Sequence, residues 1–293
     1  PICLFRYRNG NLRREDKVTM EQGRLEQQQL KMGAFDNSSI FSHIIIGVTI
    51  SLCFWSIFYK LINSINPSKR CEWNFNIVAM CFSVLIVIMS FICIVCFNPP
   101  LLTNLGQPSN PAAFRTLCFS LGYFCYDTLW CVIHWAEKKD VPNIIHHIIT
   151  ILIHCLALFS GVCAEIGTNV LFGTEISTPL LLARWFMREK EMKNHILYHI
   201  NDFVFVVLFL TFRLGIGTWY IWTLLTDPKC PPMTVTKLFL LSIYLISLGF
   251  AVSLCRMVYF KIKKLSRPTV EYIHHGDEKV STAVDINFNE PQT

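Results

Sequence analysis

Charged residues are scarce in this chain of 293 residues: Asp, Glu, Lys and Arg make up 16%, whereas 53% of the residues are hydrophobic. A soluble domain would carry about a quarter charged residues and fewer apolar runs. The sequence also lacks a G-x-S-x-G nucleophile elbow, a P-loop and a dinucleotide-binding glycine fingerprint. These absences argue against a soluble fold, a hydrolase of the α/β type and a nucleotide-binding domain.

Three further patterns are missing. The apolar runs do not alternate with polar residues at period two, which argues against strands of a membrane barrel. No basic cluster is interleaved with aromatics, so the net charge of +6 favours a membrane surface over a nucleic acid. Most of the 13 cysteines lie inside apolar runs, where we interpret them as packing residues and not as a disulfide framework.

Long apolar runs are what the sequence does contain, and the mean hydropathy is +0.42. A run of about 20 apolar residues can cross the hydrocarbon core of a membrane as a helix. The pattern therefore predicts an all-α, polytopic membrane protein of about seven transmembrane helices. The predicted crossings are 40–62, 73–97, 114–135, 142–163, 166–183, 199–225 and 234–260.

The domain organisation follows from the same pattern. Residues 40–265 are predicted to form the membrane domain, and 266–293 a disordered tail. The polar segment 1–39 is interpreted as a gene-model extension or a lumenal N-terminus. Lys and Arg concentrate in the links after the first, third and fifth crossings and in the tail, which predicts a cytosolic C-terminus and a lumenal N-terminus.

Polar residues inside the third and fourth crossings form the first group of candidate site residues. On a helix, His147 and His154 share a face, Thr150 follows His146 by four residues, and Tyr123 precedes Asp127 by four. If these faces meet, a carboxylate can orient an imidazole as a general base. The alternative is that His146 and His147 are interfacial residues at a helix start, bonded to backbone or water.

The fifth and sixth crossings contain a second group. Glu175 lies inside an apolar run, and Pro179 removes the backbone donor that would have paired near it. The carbonyl thus freed can accept from a polar partner. Arg184 reaches Glu175 only if a kink turns the helix, and Arg213 is expected to pair with a buried carboxylate, Asp127 or Glu175.

A metal site is not predicted. Histidine-box enzymes need several closely spaced histidine pairs, and the crossings contain only one, His146-His147. We therefore expect neither a metal nor a resident cofactor.

Several motifs occur together in an order that resembles the TLC-domain family. They are Glu72-Trp73-Asn74, Gly122-Tyr123 with Asp127, His146-His147, Glu175-x-Ser177-x-Pro179 and Arg184-Trp185-Phe186. The set is most similar to the smaller members of the family. The resemblance implies a membrane such as the endoplasmic reticulum and a helical bundle around a lipid-sized cavity.

The resemblance also implies a chemistry. In the ceramide synthases of this family the paired histidines serve acyl transfer from coenzyme A to a sphingoid amine, and His146, His147 and Thr150 match that part of the motif. The acidic His-Asp…Asp element of the synthases has no counterpart after His154.

Three functions follow as hypotheses. We favour a protein that binds membrane lipids, acyl chains or sphingolipids, in the bundle and affects membrane composition. The alternative is a ceramide-synthase-like acyltransferase with acyl-CoA as co-substrate. A transporter ranks last, because only one crossing looks broken. Membrane lipids are the expected partners, nucleic acid is not expected, and a homo-dimer is left open.

Overall fold

The computed structural model describes residues 37–97, 109–134, 141–161, 164–226 and 234–265. The predictions for most of the segment 1–39, for the helix stop at Asn98-Pro99-Pro100 and for the tail 266–293 fall on residues outside these ranges. Within the described residues, the regular elements are all helices, as the sequence predicted.

Within these described ranges, nine α-helices follow one another. They are α1 (Asn37–Ile65), α2 (Cys71–Phe97), α3 (Pro111–Ile133), α4 (Val141–Ser160), α5 (Ala164–Glu175), α6 (Thr178–Glu189), α7 (Ile196–Phe209), α8 (Gly217–Thr226) and α9 (Thr234–Leu265). A short 3₁₀ turn, Met192–Asn194, precedes α7, and a π-helical segment, Leu210–Ile216, joins α7 to α8. Up to Leu254 the chain forms one compact unit, and the end of α9 from Cys255 belongs to a second.

Six stretches of the described chain are long and apolar enough to cross a membrane, which confirms a multi-pass membrane protein. They are Ser39–Ile65, Cys71–Cys96, Pro111–Ile133, Asn143–Ser160, Ile196–Thr223 and Leu241–Phe260. The crossing predicted at 166–183 is instead divided into α5 and α6, of 12 residues each. Pro179 lies at the start of α6, where a missing backbone N–H is tolerated because a first-turn donor has no partner within its helix.

The contact of α1 with α3 depends on the absence of a side chain. A Cβ atom built on Gly122 of α3 would lie 2.4 Å from Ser51 Cβ and 2.7 Å from the carbonyl oxygen of Val48. Ser51 Oγ donates a hydrogen bond of 2.6 Å to the carbonyl oxygen of Phe119 across the same contact. The Gly122-Tyr123 motif thus brings α1 and α3 together.

Aromatic side chains fill the core beside this contact. Trp55 is almost fully buried and packs edge-on against Tyr123 and Phe82. The Tyr123 ring stacks on Phe82 with centroids 3.5 Å apart. This packing fixes the ring of Tyr123 between α1 and α2.

Two other sequence motifs meet at the start of α2. Trp73 packs against Trp185 and Phe186 of α6, with ring centroids 5.7 and 4.9 Å away. Beside them Arg70 and Glu189 form an ion pair. The broken α5–α6 pair is therefore attached to α2.

Candidate functional site

The third and fourth crossings bring a carboxylate to an imidazole. His147 Nδ1 of α4 lies 3.7 Å from Asp127 Oδ1 of α3, and only 8% and 9% of the two side chains are exposed. The separation is within the distance of an ion pair for a protonated ring and is too long for a hydrogen bond. The two helix faces therefore meet as the spacing predicted, and the chemical role of the pair stays a prediction.

Asp127 has two further polar neighbours on its own helix. The Tyr123 hydroxyl, one turn earlier, hydrogen-bonds the carboxylate. Cys131 Sγ, one turn later, lies 3.5 Å from Asp127 Oδ1. Asn143 Nδ2 of α4 is 4.0 Å from Cys131 Sγ. Cys131 was missed at the sequence level, although its spacing of four residues from Asp127 places it on the same face.

The two adjacent histidines are both buried, with 9% of His146 and 6% of His147 exposed. Neither Nδ1 atom has a hydrogen-bond partner among the described residues. His146 also faces the edge of Phe250 of α9, with ring centroids 6.4 Å apart. An unpaired buried polar atom costs about 1–3 kcal/mol, so these two nitrogens are places where a polar group from outside the chain would be favourable.

Thr150 and His154 are engaged within the fold. Thr150 Oγ1 donates to the carbonyl oxygen of His146 at 2.8 Å. His154 Nδ1 lies 2.8 Å from the carbonyl oxygen of Thr150, and its Nε2 lies 3.1 Å from Ser120 Oγ. Since only an N–H can donate to a carbonyl, Nδ1 is the donor, and a neutral ring then accepts from Ser120 at Nε2. This histidine has both nitrogens satisfied and connects α4 to α3.

Glu175 lies at the break between α5 and α6, with 6% of the residue exposed. Its carboxyl hydrogen-bonds the Thr178 side chain. The Glu175 carboxyl also lies near enough to Arg213, His147 and Asp127 to interact with their charges. The carboxyl of the broken helix thus belongs to the same buried group as the histidine pair.

Arg213 lies in the π-helical segment, and its side chain contacts the C-terminal end of α5. Its Nε and Nη2 atoms donate to the carbonyl oxygen of Thr174 at 3.2 and 2.6 Å. The guanidinium thereby satisfies a carbonyl at the end of α5, where helical bonding stops. It is also in electrostatic range of Glu175 and His146. Among the described residues Arg213 forms no ion pair with Asp127 or Glu175, so the expected direct pairing is replaced by hydrogen bonds to the backbone.

Arg184 pairs elsewhere. Its Nε atom lies 2.7 Å from Asp202 Oδ1 of α7, and both side chains are largely buried. Arg184 therefore joins α6 to α7 and pairs with Asp202, and not with Glu175, which it was predicted to reach only if a kink turned the helix. Asn201 Nδ2 adds a hydrogen bond of 2.9 Å to the carbonyl oxygen of Leu180 at the same helix contact.

We call the buried group of Tyr123, Asp127, His146, His147, Glu175 and Arg213 the polar junction. It is distinct from a groove of about 460 Å³ between α1, α2 and α3. That groove is lined by His43, Gly47, Met89, Phe114, Arg115 and Phe119, among others. As far as the described residues show, its lining includes none of the predicted site residues.

Comparison with known proteins gives a consistent set of relatives. The model of the TLC domain matches residues 72–264. TLC domain-containing protein 1 of Homo sapiens is 27% identical over 153 residues, which cover 51% of this chain and 60% of that protein. TLC domain-containing protein 4 A of Dictyostelium discoideum is 28% identical over 162 residues, covering 54% and 61%. TLC domain-containing protein 4 of Homo sapiens is 28% identical over 155 residues, covering 52% and 58%. The matched part of the chain spans about three fifths of each of these relatives.

Proposed function

Because this chain belongs to the TLC-domain family, as its motifs predicted, we propose that it is a multi-pass membrane protein that binds lipids and affects membrane lipid composition. The acyl chain or sphingolipid is held between the helices, with its polar group at the polar junction. The single observation that carries this proposal is the pair of buried Nδ1 atoms of His146 and His147, which have no hydrogen-bond partner in the part of the chain that the structure describes.

The chemistry of the junction suits the polar end of a lipid. A neutral imidazole nitrogen accepts from a hydroxyl or amide N–H, or donates to a carbonyl, depending on its tautomer. Arg213 and Glu175 supply a cation and a carboxyl in the same buried region. Phe124 beside His147, with ring centroids 5.7 Å apart, supplies apolar surface. Ester, amide and hydroxyl groups next to an acyl chain match this combination.

Acyl transfer is the second candidate, and the contact of His147 with Asp127 favours it. In that reaction the sphingoid nitrogen attacks the thioester carbonyl of acyl-CoA, and the carbon–sulfur bond breaks. An imidazole takes the proton from the nitrogen, and the coenzyme A thiolate leaves and is protonated. Asp127 would orient His147 for this step. We rank this candidate second because the acidic element of the synthases is absent from the sequence.

The cellular setting is part of the proposal. We propose the endoplasmic reticulum membrane, with the C-terminus in the cytosol and the N-terminus in the lumen, on the distribution of Lys and Arg. Opposite sides need an odd number of crossings, so this orientation includes the proposal that the divided pair α5–α6 crosses the membrane in addition to the six long stretches. Protease protection of tags at the two ends, in sealed microsomes, tests the orientation. Membrane lipids remain the expected partners, and a homo-dimer stays a prediction.

The function is tested on the full chain purified from microsomes. Lipids that co-purify are identified by mass spectrometry, and transfer of labelled acyl groups from acyl-CoA to a sphingoid base is measured in parallel. Both assays compare the wild type with the double variant His146→Ala with His147→Ala. The matched control is His199→Ala, because His199 is exposed on α7.

We expect a lipid that co-purifies with the wild type and the control and is reduced in the double variant, without acyl transfer. Acyl transfer by the wild type and the control, lost in the double variant, would replace the binding proposal by the enzyme. Equal lipid content in all three proteins, with no transfer, would contradict both candidates.

A further inference from the structure

Three potential metal-binding side chains converge where α3 meets α4. Asp127, Cys131 and His147 each offer one ligand atom, and these atoms all lie within 4.8 Å of one another. We propose that Asp127, Cys131 and His147 bind a zinc(II) ion. Asp127 and His147 also belong to the polar junction, so a bound ion would occupy His147 Nδ1 and leave His146 Nδ1 for the polar group of the lipid.

The separations match those around a tetrahedral ion. Zinc is bound at about 2.3 Å by sulfur and about 2.0–2.2 Å by nitrogen or oxygen, so neighbouring ligand atoms lie about 3.3–3.6 Å apart. Cys131 Sγ is 3.5 Å from Asp127 Oδ1, and His147 Nδ1 is 3.7 Å from the same oxygen. The third separation, between Cys131 Sγ and His147 Nδ1, is at most 4.8 Å, so binding one ion requires these two side chains to move closer together.

The nitrogen that would bind the ion is free to do so. His147 Nδ1 is buried and has no hydrogen-bond partner among the described residues, and it faces the carboxylate of Asp127. A histidine with both nitrogens bonded, such as His154, could not offer a lone pair without breaking a contact. The cluster therefore contains a donor atom already directed at its centre.

The surrounding groups resemble the outer shell of a metal site. Ligating carboxylates are usually hydrogen-bonded in turn, and Tyr123 provides such a bond to Asp127. Asn143 Nδ2 lies 4.0 Å from Cys131 Sγ.

Charge balance favours a divalent cation. On binding, the Cys131 thiol releases its proton to solvent and becomes a thiolate. The thiolate and the Asp127 carboxylate then carry two negative charges, which Zn²⁺ neutralises inside the bundle. A donor set of sulfur, nitrogen and oxygen suits zinc better than magnesium or calcium, which prefer oxygen alone. Histidine spacing did not reveal this site, because only one of its donors is a histidine.

The test uses the full chain purified without chelators, in lipid nanodiscs. Zinc is counted per chain by elemental mass spectrometry, and the ion is then exchanged for cobalt(II). A cobalt site with a thiolate shows a sulfur-to-metal charge-transfer band and the intense visible bands of four-coordination. The variants are Cys131→Ser and Asp127→Asn, and the control is Cys125→Ser, which lies on the same helix outside the cluster.

We expect one zinc ion per chain in the wild type and in Cys125→Ser. Both ligand variants should lose the ion, and Cys131→Ser should also lose the charge-transfer band. Tyr123→Phe should weaken zinc binding about 10- to 100-fold, as outer-shell changes do.

The proposal is overturned if the wild type takes up no zinc and gives no thiolate–cobalt band after metal is added. It is also overturned if Cys131→Ser retains zinc as tightly as Cys125→Ser. Should the ligand variants fail to fold, the cobalt spectrum of the wild type alone decides the outcome. Both measurements detect the metal and not the lipid. A negative result would therefore overturn the zinc site without deciding the proposed function.

Discussion

The α1–α3 contact and the polar junction are both buried, but different forces hold them. At the α1–α3 contact, Gly122 lets two backbones approach, and the aromatic rings of Trp55, Phe82 and Tyr123 fill the space beside them. At the polar junction, by contrast, two ring nitrogens have no partner among the described residues. The first region is held by close packing, and its one unpaired polar atom named among the described residues, Trp55 Nε1, lies among aromatic rings. The second has two unpaired imidazole nitrogens close to charged side chains.

This difference separates stability from function. A close-packed contact between helices stabilises the fold, because any cavity or steric overlap introduced there lowers the free energy of unfolding. Unpaired buried polar atoms lower the stability of a fold. Where a native protein contains them, a catalytic role or a bound ligand can account for their presence. We therefore expect substitutions to affect stability in the packed regions and ligand binding at the junction.

The largest loss of stability is expected from Arg184→Met. The change leaves the Asp202 carboxylate buried without its cation, and breaking a buried ion pair costs about 3–5 kcal/mol. Thermal unfolding in detergent measures the effect. Arg188→Met, one turn further along α6, is the control and should stay within about 0.5 kcal/mol. Equal losses in the two variants would contradict the pairing of α6 with α7.

Arg213→Met is expected to cause the next largest loss of stability, about 1.5–3 kcal/mol. The change removes the charged donors from the carbonyl of Thr174 and the cation near Glu175. The double variant with Glu175→Gln should lose less than the sum of the single losses, because the carboxyl then no longer needs a counter-charge. Strict additivity in this cycle would show that the two residues do not interact.

Gly122→Ala should cost about 1–3 kcal/mol, because the added methyl group overlaps with Ser51 and Val48. Gly173→Ala is the matched control: nothing lies within 4 Å of a Cβ there, and α5 should gain about 0.5–1 kcal/mol from the better helix former. Opposite signs in the two unfolding measurements are the expected result. A neutral Gly122→Ala variant would rule out the close approach of α1 and α3.

The smallest change in stability is expected at the junction itself. His146→Leu removes a buried nitrogen for which the described residues provide no partner, so the loss should stay below about 1 kcal/mol. His154→Leu removes bonds to Thr150 and Ser120 and should cost more, about 1–3 kcal/mol. Unfolding of the two variants in parallel measures the difference. A larger loss for His146→Leu would mean that its ring is already satisfied within the fold.

Much of the fold could be predicted from the sequence, because hydrocarbon imposes a strong rule on length and polarity. The six long apolar helices and the family follow from that rule and from the order of the motifs. The break between α5 and α6 at Ile176 and Ser177 was harder to predict, because hydropathy does not depend on where the backbone hydrogen bonds of a helix end. The sequence signals were a short apolar run with Glu175 and Pro179 inside it, and Pro179 marks the first turn of a new helix.

The sequence predicted which residues form the site better than it predicted which residues each of them contacts. Helical spacing placed Asp127 and His147 on faces that do meet. The partner of Arg184 could not be obtained in this way, because the kink and the α6–α7 contact decide which carboxylate it meets. The partner of Arg213 is a backbone carbonyl, which no side-chain pattern shows. Cys131 was set aside as a packing residue because its neighbours in sequence are apolar.

The most direct measurement locates the lipid itself. A fatty acid with a photoreactive group near its carboxyl end is incorporated into cellular lipids, activated by light, and its attachment sites on the purified chain are mapped by mass spectrometry. The account predicts attachment to residues of α3, α4 and α5 around His146, His147 and Glu175, reduced in the double variant His146→Ala with His147→Ala. Attachment confined to the groove beside Arg115 or to the outer faces of the helices, and unchanged in the double variant, would contradict it.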